Sequence, residues 1–209
     1  MNADPDRDCP LCERLVGFRA KWREREAAWH NAPVHSFGPR DARLLIVGLA
    51  PGLRGANATG RPFTGDFAGD LLFRTLIDFG FATGAYGAQA DDGLSLQDCR
   101  ITNAVRCVPP QNKPLPAEIN QCRSFLAETA AGMPELRVIL ALGQIAHQSV
   151  VRMFGASVAG SPFRHGGVVA FGQITLASSY HCSRYNTNTG VLTESMFRDV
   201  FRAIRARLA

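Results

Sequence analysis

Apolar runs and amphipathic stretches alternate along most of the chain. Residues 44–49 (LLIVGL) and 138–142 (VILAL) are almost uninterrupted hydrophobic runs of strand length, and 101–105 (ITNAV) is a third candidate strand. Between the first two candidates, residues 66–80 place apolar side chains at 67, 68, 71, 72, 76 and 79, a helical period that Gly80 ends. Pro116 sits where the first turn of a helix tolerates proline, and 118–130 continues that helix. Residues 144–154 form another helical pattern, and 192–208 a strong one, apolar at 192, 196, 197, 200, 201, 204 and 208. Residues 168–171 and 174–177 flank Gly172-Gln173 and predict a short hairpin. Residues 86–97 show no period and read as loop. Alternation of this kind predicts a parallel sheet covered on both faces.

Ligands of such sheets bind beyond the carboxyl ends of the strands. Three informative segments fall there: 48–66 after the first strand, 103–116 after the second and 178–190 after the last. One shared site is therefore expected. The 209 residues suffice for one core, and a single domain is expected over 1–209. The composition, 46% hydrophobic and 20% charged, is that of an ordinary globular chain. No apolar stretch approaches the roughly 20 residues that span a bilayer. The N-terminus, MNADPDRDCPLC, lacks the apolar core of a secretory signal, so no membrane association and a cytoplasmic location are expected.

The net charge is +5, and only Lys21 and Lys113 among 23 basic residues are lysine. Arginine suits phosphate contact through its planar fork. Two basic helical patches, 14–25 and 198–207, permit a polyanionic partner, although the acids interleaved with them also fit plain solvated helix faces.

Six cysteines are unlikely disulfide material in such a chain: a C-x2-C pair (Cys9, Cys12), then Cys99, Cys107, Cys122 and Cys182. The tight pair plus Cys107 and Cys122 make four thiolates, enough for tetrahedral zinc or a [4Fe–4S] cluster. The wide spacing of the second pair does not suit the matching knuckles of a zinc ribbon and favours iron–sulfur; zinc and unliganded thiols are the other readings.

The stretch 48–72, GLAPGLRGANATGRPFTGDFAGDLL, holds six glycines. It is not a Walker loop, because Gly60 is followed by Arg61-Pro62 rather than by lysine, and it does not fit G-x-G-x-x-G. It does carry Phe63 on a stiff Pro62-Phe63 unit and a carboxylate, Asp66. With Asn103 and His181 from the other two rim segments, these supply a stacking face, an amide that both donates and accepts, and a donor for charge building on a carbonyl oxygen. That set suits a planar heterocycle. Taken one at a time, Phe63 also reads as loop core, Asp66 as a helix cap, Asn103 as a turn former and His181 as a surface histidine.

The segments GLAPG…N-x-TGRPFTGD-x-AG-x-LL, ITNAVRCVPP-x-NKP-x-P-x-E-x-x-x-C and H-x-S-x-x-NT-x-TG together resemble the uracil-DNA glycosylases of the iron–sulfur kind, closest to type 5 (UDGb). The resemblance runs from Cys9 to about Gly190. Leu49-Ala50 occupy the place where type 4 members carry Glu, His181-Cys182-Ser183 departs from the usual His-Pro-Ser, and Ala58 stands where an arginine is frequent.

The resemblance implies a three-layer α/β/α sandwich with a central, mainly parallel four-stranded sheet. It also implies an N-terminal cluster-binding segment over about 1–30 and a [4Fe–4S] cluster on Cys9, Cys12, Cys107 and Cys122. The activity it implies is hydrolysis of the N-glycosidic bond of uracil, or of other deaminated bases, in DNA. Asp66 would position water and His181 contact the leaving base. Gly48, Ala50, Phe63 and Asn103 would bind the base, and Ser183, Arg184 and Tyr185 would contact DNA, Arg184 or Tyr185 as a wedge. The basic patches would hold phosphates, and the chain would act as a monomer. A non-catalytic binder of damaged DNA and an iron–sulfur redox protein are the alternatives.

Overall fold

A computed structural model describes residues 4–209. In chain order the elements are α1 (Glu13–Arg25), β1 (Leu44–Gly48), α2 (Ala56–Thr59), α3 (Phe67–Asp78), β2 (Ala82–Thr83), β3 (Ser95–Leu96), β4 (Cys99–Asn103), α4 (Pro116–Ala131), β5 (Val138–Leu142), α5 (Gln144–Met153), β6 (Val168–Phe171), β7 (Ile174–Ser179), α6 (Arg184–Asn188) and α7 (Glu194–Leu208). A single 3-10 turn covers Pro110–Asn112. The first three residues of the N-terminal segment expected at about 1–30 lie outside the described residues.

The central sheet has five strands in the order β4-β1-β5-β7-β6. Four are parallel; β6 runs antiparallel to β7 at the edge. The expected four strands are thus the parallel set, and the fifth is the first arm of the hairpin across Gly172-Gln173. Side chains alternate across β1 as the pleat requires. Leu44 and Ile46 enter a core under α3 and α7, while Leu45 and Val47 enter a second core with α5 and residues of α4 such as Leu126. Both faces are buried, which explains why β1 and β5 read as continuous apolar runs.

The topology places the rim. The chain leaves β1 through α3 to reach β4 on one side, then crosses through α4 to β5 on the other side of β1. Loops after β1, β4 and β7 therefore converge at the carboxyl edge, where the strand order diverges. The stretch 86–97, expected as loop, contains β3, paired antiparallel with β2 in a two-residue ladder too short to show a sequence period.

The N-terminal segment is pinned by a buried charge network. Arg106 is fully buried; its guanidinium donates to the Asp4 carboxylate at 2.6 Å, to Ser36 Oγ at 2.9 Å and to Thr129 Oγ1 at 2.7 Å. Asp4 Oδ1 also accepts from the Ser36 backbone N–H at 2.9 Å. This ties residues 4–36 to the end of β4 and to α4.

Candidate active site

Phe63, Asp66, Asn103 and His181 all line one cavity of about 560 Å³ at the carboxyl rim. Ala50, Ser183 and Arg184 line it too. Three separate segments thus build one site, as the strand-end argument requires.

Its floor is set by sheet register. Gly48, the last residue of β1, pairs with Asn103, the last of β4. A Cβ on Gly48 would lie 2.4 Å from Asn103 Oδ1 and 2.6 Å from Phe63 Cζ. Gly48 therefore lies beneath the cavity, not on its wall, and its lack of a side chain is what lets the amide and the ring sit side by side. Asn103 is buried, and its amide makes no hydrogen bond to any other described residue. A donor and an acceptor are left for whatever enters.

Asp66 has two tasks. Its Oδ1 caps α3, accepting from the N–H of Ala68 at 3.1 Å and of Gly69 at 3.3 Å. Its Oδ2 faces Gly52 and Gly55, where an added Cβ would lie 3.0 and 2.8 Å away. Burial raises the Asp66 pKa, and the Asp70 charge adds to that, against the two backbone donors. Glycines of this loop thus make room for the protein's own carboxylate as well as for an approaching ligand.

His181 sits 6.0 Å from Phe63 between ring centroids, with the planes 25° apart. Burial lowers its pKa to about 4, so the ring is neutral at ordinary pH. Its backbone is held where proline is usual: Asn186 Nδ2 donates to the His181 carbonyl at 2.8 Å, and the buried Cys182 thiol donates to the Ala68 carbonyl at 3.5 Å. Gly143, just after β5, backs it at close range; a Cβ there would lie 3.4 Å from that of His181.

Ser183 caps α6 by accepting from the Asn186 N–H at 3.4 Å, so its hydroxyl is partly committed. Arg184 lies over Phe67 at 5.1 Å on the cavity mouth. Tyr185 is 73% exposed and does not line the cavity. Asn112, not anticipated as a site residue, does line it. Asn112 follows Gln111, and both have left-handed backbone, φ 55° and 56°. The only sequence signal was a run of three polar residues, 111–113, between Pro110 and Pro114, Asn being among the residues that tolerate positive φ.

The basic patches are largely used within the fold. Arg14 grips Glu118 through two bonds, at 2.8 and 2.7 Å, and Arg23 pairs with Asp8. Arg198 pairs with Asp78, Arg202 with Asp199, and Arg205 donates to the Phe79 carbonyl at 2.6 Å. α3 begins at the rim and ends at Asp78 on the opposite edge, so Arg198–Asp78 lies away from the cavity. The 198–207 patch fits the solvated helix face that its interleaved acids suggest.

Cys9, Cys12, Cys107 and Cys122 line a second, common cavity with Leu15, Val105 and Phe125. No group of three or more His, Cys, Asp or Glu side chains among the described residues is arranged around a single metal ion. Two donors face the sulfurs: the Arg106 backbone N–H to Cys122 Sγ at 3.3 Å, and Arg19 to Cys107 Sγ at 3.6 Å. Cys99 and Cys182 are buried elsewhere in the main core.

The match to known proteins agrees with this arrangement. Residues 35–205 match the family model described as the uracil DNA glycosylase superfamily. The chain is 42% identical to the type-5 uracil-DNA glycosylase of Thermus thermophilus, over 92% of this chain and 90% of that one. It is 38% identical to the type-5 enzyme of Pyrobaculum aerophilum, over 95% and 88%. A type-4 enzyme from Archaeoglobus fulgidus matches at 34% over 58% of this chain and 53% of its own. By the extent of these matches, the chain belongs to the uracil DNA glycosylase superfamily, in its type-5 branch.

Proposed function

We propose that this protein is a monofunctional DNA glycosylase that hydrolyses the N-glycosidic bond of uracil in DNA, the first step of base excision repair. One observation carries the reading beyond family membership: Phe63, Asn103, Asp66 and His181 meet in one cavity, with the Asn103 amide unpaired by any described residue. The target nucleotide must leave the helix to reach it. Phe63 then stacks on the base, and Asn103 reads its edge with one donor and one acceptor. As the glycosidic bond breaks, negative charge builds on the base and positive charge on the sugar. Neutral His181 donates to a base carbonyl oxygen, and Asp66 Oδ2 orients water and opposes the sugar's charge. Ala50, Ser183, Arg184 and the exposed Tyr185 contact the DNA around the opening.

We assign a [4Fe–4S] cluster to Cys9, Cys12, Cys107 and Cys122: all four line one mostly apolar cavity, and N–H groups donate to the sulfurs of Cys107 and Cys122. Bound there, the cluster would supply structure, tying the 4–30 segment to the loop after β4 through Cys107 and to α4 through Cys122. Residues 1–209 form one domain in this reading, acting as a monomer.

Single-turnover release of base from oligonucleotides bearing uracil, hypoxanthine, xanthine or a thymine mismatch tests the reading. Uracil release by the purified chain is expected; DNA binding without released base overturns it. Broad absorption near about 400 nm is expected with four cysteines intact and lost in Cys122→Ala.

A further inference from the structure

The ring that stacks on the base is held in a costly backbone conformation. Phe63 has φ 56°, the left-handed region that bulky residues rarely occupy and that persists only when surrounding structure forces it. The forcing groups come from 84–96, a stretch outside all three rim loops. Tyr86 donates its hydroxyl hydrogen to the Phe63 carbonyl at 3.2 Å, and the Tyr86 hydroxyl oxygen accepts from the Gly65 N–H at 3.3 Å. Gly69 leaves space for that carbonyl, since a Cβ there would fall 1.9 Å from it.

Tyr86 is itself braced. Its ring stacks on Phe73 at 4.6 Å. The Arg61 guanidinium lies against Phe37, Phe73 and Tyr86 at 5.2, 5.4 and 5.9 Å from their centroids. Asp92 then receives both ends of that guanidinium, at 2.8 and 2.6 Å. Arg61, two residues before Phe63, is therefore buried structure and takes no phosphate.

We infer that Tyr86, braced by the Arg61–Asp92 pair, is a positioning residue that holds Phe63 at the angle and depth needed to stack on the extruded base. This rests on the glycosylase reading above and adds to it a brace that never touches DNA. Tyr86→Phe removes both hydrogen bonds and keeps the ring.

The test is a double-mutant cycle on single-turnover uracil release with the full-length chain. Tyr86→Phe is expected to slow release roughly tenfold, because small displacements of a positioned group are costly. In a Phe63→Ala background the same change is expected to have almost no effect, since the group being positioned is gone. Binding supplies a second readout. Tyr86→Phe should weaken affinity for a duplex whose uridine is protected from cleavage by a 2′-fluorine, and leave affinity for an abasic duplex unchanged. Asp92→Asn, which loosens the brace at a distance, should reproduce both patterns in weaker form.

An equal Tyr86→Phe effect with and without Phe63, or an equal loss on abasic DNA, overturns the positioning role while leaving the glycosylase reading intact. So does an unchanged rate in Tyr86→Phe when Phe63→Ala is slow. No uracil release by the unaltered chain overturns both.

Discussion

Two polar clusters near the carboxyl ends of β1 and β4 behave in opposite ways. Around Arg106 the buried groups are spent mostly on one another: Asp4, Ser36 and Thr129 each meet the guanidinium, and only its Nε is left without a partner among the described residues. A few residues earlier in the chain, Asn103 is as deeply buried and its amide meets no described partner. Burial without a partner costs free energy, and the Asn103 amide escapes that cost by lining the cavity instead of packing into the core. The closed cluster fastens the chain; the open one leaves its valences for a ligand.

The largest expected effect breaks the closed cluster. Arg106→Ala takes from Asp4 its closest cation, leaving the Ser36 donors and Arg100 at 3.9 Å, and should cost about 3 kcal/mol of stability, read as a lowered denaturation midpoint. In whatever fraction stays folded, uracil release should change far less. His181→Ala in the open cluster should show the reverse: single-turnover release falling by about 10²–10³-fold, as for loss of one preorganised donor, with little change in thermal midpoint. A large loss of stability there would mean that His181 belongs with the structural groups.

Asp66 sharpens the comparison because it works on both sides, capping with one oxygen and facing the cavity with the other. Its working form is the carboxylate, and burial raises its pKa, so release should fall as pH drops through that raised value and level off above it. His181 is neutral down to about pH 4 and adds no second limb near neutrality. Asp66→Asn should flatten the acid limb at a low rate; a limb that persists assigns it to another group. The smallest effect is expected at the far helix face: Arg202→Ala, removing an exposed pair with Asp199, should alter stability by under about 1 kcal/mol and leave the salt dependence of DNA binding unchanged.

The elements with long periods were legible in sequence. The pattern over 66–80 corresponds to α3, with Asp66 as its cap and Gly80 in left-handed conformation just past its end. The strand expected at 101–105 begins earlier, at Cys99, because Asp98 turns the chain at φ 52° and accepts from Arg43 to start the pairing. Short elements escaped: β2, β3, α2 and α6 span two to five residues each, too few for a period to register. That Phe63, Asp66, Asn103 and His181 share one cavity was legible from their joint placement at the strand ends, since each alone reads as ordinary structure. Tyr86 and Asn112 were not legible, since one acts through a backbone carbonyl and the other depends on a strained turn, and neither leaves a trace in composition.

The pairing of Gly48 with Asn103 has one more implication. The floor of the pocket is part of the sheet ladder itself, so its depth cannot be adjusted without shifting two strands that carry the core. Selection for a different damaged base would act on side chains, that of Asn103 itself or those lining the cavity off the sheet, such as Asn112 and Arg184, where a change disturbs no ladder. Divergence among relatives in what they excise should accordingly be written in their rims.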